Sequence, residues 1–368
     1  MITRDTCIVC KNLLASLFTF KDFPVYMGVS STSDFEMLDM EWSSCESCGC
    51  VQLNKLVELE KLYKVPHNPA VGRTWETHNK HFSALVNSYS PKVVLDIGGA
   101  NLKLASLISP CKSVSRYDVI DFSAEKYEVV LVDDKISLIV GSIESYKKSN
   151  LVDCAVLSHT LEHLYDPVET LSSLKECLTE DGKIIVSVPN IKAQLKDGFL
   201  NALHFEHTYF IDHEYMQLIG SGAGLRLVRR EDFSPYNSFY VFERGSTSLG
   251  EHPAPQDSPL TFKNFVTNLQ ADVREIISST ATDSFYVFGA HVFTQYLMNS
   301  GLPAKRIIAV IDNDINKTGK LLYGTNLLVK NPNEISSDKE PLVLLRVAQY
   351  EQEIRDQLVS INKNVRFL

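Results

Sequence analysis

The chain has 368 residues, 44% of them hydrophobic and 22% charged, with a formal net charge of −9. That length predicts two or three domains, each able to bury a core. The acidic balance argues against a nucleic-acid binder, which normally carries a basic face, and no apolar run approaches the roughly 20 residues that span a bilayer. The start, MITRDTCIVCKNLLASLFTF, has an acid and two cysteines where a secretory signal has an unbroken apolar core, so a cytoplasmic protein is expected.

Residues 1–60 hold five of the eight cysteines. In a reducing compartment clustered cysteines are more often metal ligands than disulfides. Cys7-Ile-Val-Cys10 and Cys45-Glu-Ser-Cys48 form two C-x-x-C pairs, and four thiolates so spaced can close a tetrahedron around zinc. The competing reading is a redox pair or unliganded core cysteines. Four sulfur ligands leave no open position for water, so the predicted zinc is structural. Cys50 is surplus and is expected to be buried, and Cys111, Cys154 and Cys177 are expected to be packing residues.

From about 61 to 90, Trp75, His78, Phe82 and Leu85 fall near helical spacing. Over 91–245, apolar runs alternate with amphipathic stretches, which implies an α/β domain with a parallel sheet covered on both faces. The expected strands are Val93–Ile97, Arg116–Ile120, Ile136–Val140, Cys154–Ser158 and Lys183–Val188. Leu225–Glu231 and Ser238–Glu243 are expected to pair antiparallel at one edge. The segment SLGEHPAPQDSP (248–259) reads as a linker. Beyond it a second α/β alternation is expected: helix over 262–279, strand over 284–288, helix over 291–300 and strand over 306–311. The boundaries so read are 1–60, 61–247 and 260–368.

In a doubly wound sheet the ligand sits beyond the carboxyl ends of the strands. After the first strand, Gly98, Gly99 and Ala100 let the backbone approach a ligand closely, and Asp96 can fix the loop or a ligand's ammonium group. The G-x-G-x-x-G pattern of a dinucleotide site is absent. An acid after the second strand can bind the two ribose hydroxyls of a nucleoside; Asp121 is the first choice and Asp118 the second. Ser142, Ile143 and Glu144 after the third strand can flank an adenine, and His159 after the fourth can line the same pocket. Glu162 and His163 are expected to satisfy backbone groups where the following helix starts.

Taken together, Asp-Ile-Gly after the first strand, the acid after the second, S-H-T-L-E-H-L-Y-D-P after the fourth and V-P-N after the fifth resemble a class I methyltransferase dependent on S-adenosylmethionine (SAM). With the cysteine module in front and FYVFGAHVFTQYLMNSGL…IIAVIDNDINKTGKLLYGTNLLVKNP behind, the architecture resembles the sugar C-methyltransferases. That resemblance implies a four-cysteine zinc module, a Rossmann-like SAM-binding core and a C-terminal Rossmann-like domain. It implies SAM contacts from Asp96, Gly98, Gly99, Asn101, Asp121, Ser142 and His159, structural Zn2+ on Cys7, Cys10, Cys45 and Cys48, and methylation of a nucleotide-linked sugar at carbon. Leu102 departs from the class I methyltransferases, many of which have glycine there.

The same family carries a Tyr-His-Glu-His segment that supplies the general base. Here NALHFEHTYFIDHEYMQLI (201–219) matches it only at Glu206-His207, which implies His207 as base, aided by Glu206 and Tyr209. Tyr63, His67, Trp75, His78, Tyr236 and Asn237 can close over the acceptor. Two other functions are compatible with these residues: an O- or N-methyltransferase for a cell-surface glycan precursor, and a non-catalytic zinc-ribbon binding protein on a degenerate core. Neither nucleic acid nor membrane is an expected partner, and the oligomeric state is not read from the sequence.

Overall fold

The computed structural model describes residues 2–62, 73–99, 101–122, 133–141, 143, 146, 151–245, 257–280 and 283–368. At its centre is a seven-stranded sheet. Its strands are Val93–Ile97, Arg116–Asp121, Ile136–Val140, Val152–Ser158, Leu178–Pro189, Leu225–Ser234 and Asn237–Arg244. Numbered in that order they lie 3-2-1-4-5-7-6 across the sheet. The first five run parallel, and the last two form the antiparallel edge expected from the sequence. The central strands read as continuous apolar runs because both faces are covered: Ala155, Val156, Leu157, Ile184, Ile185 and Val186 are all fully buried. The domain is thus of the Rossmann-like class I α/β type, with the reversal of strand order between strands one and four placing a ligand crevice at their carboxyl ends.

The first region folds as an antiparallel three-stranded sheet of Leu14–Pro24, Met37–Cys45 and Val51–Leu53. The last builds a parallel five-stranded sheet whose strands, in chain order, lie 3-2-1-4-5. Its helix Ser258–Thr280 begins two residues inside the expected linker, since Pro259 is tolerated in a first helical turn; residues 248–256 of that linker lie outside the described residues. No described helix is long and apolar enough to cross a membrane.

The three regions contribute to one shared apolar cluster, beside which the middle and the last each keep a cluster of their own. Trp42 lies 5.6 Å from Phe262, and Phe20 and Phe23 meet Tyr296 at 5.2 and 4.7 Å between ring centroids. Tyr323 N donates to Gly28 O at 2.9 Å, and Tyr296 Oη donates to Leu203 O at 2.5 Å. The first region therefore touches the last directly, and both grip the middle one. Cys50, Cys154 and Cys177 are buried and Cys111 is half-buried, as packing residues should be.

Tyr296 is fully buried, so removing its hydroxyl leaves the Leu203 carbonyl without that donor, at a cost of about 1–3 kcal/mol. A Tyr296→Phe variant is expected to melt at a lower temperature than the wild type. An unchanged midpoint would show that this contact carries no weight.

Candidate functional site

The loop after the first strand is built around Asp96. Its carboxylate is 1% exposed and accepts a hydrogen bond from Tyr117 Oη at 2.8 Å. Burial pushes its pKa up to about 7, with Asp121 adding to the rise and the tyrosine opposing it. A Cβ on Gly99 would stand 2.1 Å from Asp96 Oδ2, so only glycine fits there. Gly98 has φ 79°, and its N–H donates to Ile120 O at 2.8 Å while Thr160 lies against it. Asn101 Oδ1 accepts from Lys103 N at 3.1 Å and so shapes the start of the next helix. Leu102, where glycine was noted as usual, has φ 55°, a left-handed conformation that costs an L-residue about 1–2 kcal/mol.

The two candidate acids differ in burial and in position along the strand. Asp118 is buried within its strand, where Tyr146 Oη donates to it at 2.8 Å and Arg116 Nε lies at 3.2 Å. Asp121 ends the strand half-buried, on the carboxyl edge of the sheet. The geometry therefore leaves Asp121 the better placed for a ligand. Ser142, Glu144, Ala100, Ser123, Tyr63 and His67 lie outside the described residues.

After the fourth strand, His159 is held with φ 52°, a strained conformation of the kind that clusters at functional sites. Glu162 Oε1 lies 3.0 Å from its Nδ1, the Asn237 amide meets its Nε2, and Trp75 packs edge-on at 4.7 Å. Asn237 in turn reaches Ser187, whose hydroxyl meets His78 Nε2 at 2.8 Å. His78 is buried, with its ring 5.1 Å from that of His159. Tyr236 lies on the rim, its hydroxyl donating to Asp197 at 2.8 Å. Glu162 does not cap the following helix, as expected of it: Asp166 does, accepting from Glu169 N at 2.9 Å. Glu162 is fully buried and points back at the imidazole. Burial alone would raise its pKa, but the bond from His159 and the nearby His163 and His207 hold it below the usual value.

The segment 197–212 has neither helix nor strand apart from a bridge at Tyr209, yet residues 202–206 and 208–212 are buried. His207 stands 4.8 Å from the His163 ring and 4.1 Å from His204. Its Nδ1 faces Ala202 O at 3.0 Å; a carbonyl only accepts, so Nδ1 carries the proton and Nε2 the lone pair. Burial and the neighbouring His163 lower its pKa to about 4. Glu206 is buried with Oε2 3.7 Å from His163 Nδ1. Tyr209 faces elsewhere: it is fully buried, its hydroxyl donates to Leu161 O at 2.6 Å, and its ring lies beneath Arg4.

Arg4 is the participant that sequence reasoning missed. Nη1 donates to Thr208 O and Oγ1, both at 3.1 Å, and Nη2 donates to Tyr165 O at 2.7 Å. One arginine in an unpatterned N-terminal stretch carries no sequence signal for this. On the same side, Cys7, Cys10, Cys45 and Cys48 converge with all four sulfurs within 4.8 Å, at 3.7 Å for Cys7–Cys48 and 3.4 Å for Cys10–Cys45.

Burial, with His159 alongside, pushes the His78 pKa down to about 3, well below its usual 6.5. The folded chain keeps this ring neutral while the unfolded chain takes up a proton below about pH 6.5. Its contribution is therefore complete above that pH and falls as the pH drops toward 3, by about 2 kcal/mol at pH 5. His78→Gln is expected to flatten the fall in melting temperature between pH 7 and 5; an equally steep fall would contradict this burial.

A family model described as a methyltransferase domain matches residues 76–230. No curated protein matches the chain in sequence. Among solved structures, the mitomycin 7-O-methyltransferase aligns at 15% identity and a TM-score of 0.40, over 46% of this chain and 54% of its own. A methyltransferase of calicheamicin biosynthesis bound to S-adenosylhomocysteine aligns at 16% and 0.38, over 46% and 55%. The N-methyltransferase NodS from Bradyrhizobium japonicum, bound to the same compound, aligns at 15% and 0.38, over 50% and 91%. The chain thus spans about half the length of the first two. Residues 76–230, which match that methyltransferase-domain model, hold most of the strands and loops of the site.

Proposed function

We propose that the chain transfers a methyl group from SAM to a small polar acceptor, a nucleotide-linked deoxysugar methylated at carbon, with His207 as general base. The observation that carries this reading is Glu162: one buried carboxylate links His159, at the cofactor edge, to His163 and His207 on the buried segment. In it, Asp96, Gly98, Gly99 and Asn101 shape the methionine side of the cofactor loop, Asp121 and Ser142 take the nucleoside, and His159 lines the pocket between them. SAM, when bound, supplies a methyl on a sulfonium, a good leaving group. The protein's share is to orient the acceptor and take its proton.

His207 can perform the second task, with burial making it a weaker base than a solvated imidazole. It is neutral at neutral pH, and its Nδ1–H is held by Ala202, which aims the Nε2 lone pair. Taking a proton from the carbon beside a keto group leaves an enolate, whose carbon accepts the methyl. The imidazolium left on His207 is stabilised by the nearby carboxylates of Glu162 and Glu206. Tyr209 then acts as a positioning residue, fixing the segment through Leu161.

Zinc on Cys7, Cys10, Cys45 and Cys48 belongs to the same reading. Zn–S bonds of about 2.3 Å place tetrahedral sulfurs about 3.8 Å apart, close to the 3.7 and 3.4 Å found. The regions 1–60, 61–247 and 260–368 would then be the zinc-binding module, the SAM-dependent domain and a Rossmann-like domain. In that last domain Asp312 accepts from Ala290 N at 2.8 Å and pairs with Lys317, so its carboxylate serves the turn itself.

The purified chain is expected to hold one zinc that Cys45→Ser loses; a metal-free wild type would contradict the assignment. Calorimetric titration with S-adenosylhomocysteine should show binding that Asp121→Ala weakens by about 1.5–3 kcal/mol for each charged hydrogen bond lost. His207→Asn should still bind it, but lose about 10²–10⁴-fold in methyl transfer to a keto-sugar nucleotide, together with deuterium exchange of the acceptor. Turnover within a few-fold of wild type would remove His207 from the mechanism. Transfer without exchange in the wild type would point to an oxygen or nitrogen acceptor.

A further inference from the structure

Glu162, His163 and His207 each offer one ligand-type atom, and these atoms lie within 4.8 Å of one another. Two independent features make this more than proximity. Glu162 is fully buried and one of its oxygens, Oε1, is engaged by His159 at 3.0 Å, while Oε2 has no hydrogen-bond partner among the described residues. A buried carboxylate oxygen left so is costly and calls for a cation or donor. And His207 gives its Nδ1–H to a backbone carbonyl, the outer bond that metal-bound imidazoles almost always make, leaving Nε2 free to ligate. The bond from His159 does the same service for the carboxylate.

The donor set is one carboxylate and two imidazoles, which suits a divalent transition cation such as zinc better than magnesium or calcium. At Zn–N and Zn–O bonds of about 2.0–2.1 Å, ligand atoms stand roughly 3.4 Å apart. The cluster therefore needs to close by no more than about 1.4 Å in any pair, within reach of side-chain rotation. His163 and His207 are half-buried, which leaves the cation an approach.

We propose that Glu162, His163 and His207 form a second metal site, separate from the four cysteines, that takes a divalent transition cation, and that the cation competes with the acceptor's proton for Nε2 of His207. Only the competition rests on the function proposed above. Zinc at this site inhibits methyl transfer, and removing it restores transfer.

The test is calorimetric titration of Zn2+ into the full chain after brief EDTA treatment, with neither SAM nor acceptor present. The wild type is expected to take up one zinc beyond any the thiolates retain. His163→Gln and His207→Asn are each expected to weaken that uptake at least tenfold. Glu162→Gln, close in shape to the native side chain, is expected to do the same and keeps the argument testable if a histidine variant fails to fold. No added zinc, or uptake that survives these substitutions in variants melting like the wild type, would overturn the site. Zinc uptake with undiminished methyl transfer would overturn the competition. A chain that binds zinc here and transfers no methyl even after the zinc is removed would leave the site standing and remove the proposed reaction instead.

Discussion

A buried segment without regular structure must find partners for its backbone elsewhere, and the stretch 197–212 is where this protein meets that constraint. Its carbonyls and amides are answered from both sides. Arg4 donates to Thr208 O, Leu53 N donates to the same oxygen at 2.8 Å, and Phe210 N donates to Val51 O at 2.8 Å. From the other side Tyr296 donates to Leu203 O. The segment carrying His204, Glu206 and His207 is thus held between the first and last regions of the chain. That gives both flanks a physical purpose: with the central domain, which meets the segment at Leu161 and Ile191, they hold these residues in place.

The second constraint is electrostatic. Two carboxylates, Glu162 and Glu206, are buried beside His159, His163 and His207. Each acid is tolerable inside the protein because imidazoles adjoin it, and His207 stays neutral because burial resists its charging. The strained backbone of His159 is the geometric counterpart: the turn at the end of the fourth strand is bent to bring its ring between Glu162 and Asn237.

The parts legible in the sequence were those with a period or a spacing. The five parallel strands were visible because strands covered on both faces read as apolar runs, and the edge pair because its apolar runs are interspersed with charge. The cysteine pairs were visible by their short spacing; Gly99 was read as a point of close approach to a ligand, whereas the space a side chain would take there is filled by the Asp96 carboxylate. Strand order could not be read, since one sequence carries no pairing information. Tyr209 was expected beside Glu206 and His207 as an active participant, but sequence adjacency says nothing of direction in a stretch without periodicity, and its side chain turns toward Leu161 and Arg4. Arg4 was overlooked for the same reason in reverse, because its partners lie some two hundred residues away.

The central claim is that the histidines of the buried segment face the methyl group of a cofactor held at the carboxyl edge of the sheet. An experimental structure of the full chain with SAM or S-adenosylhomocysteine bound tests it most directly. The account predicts the ribose on Asp121, the methionine end against Gly98 and Gly99, and the sulfur directed toward the space in front of His207. A cofactor whose sulfur is directed away from His207, or one bound outside this edge of the sheet, would contradict it.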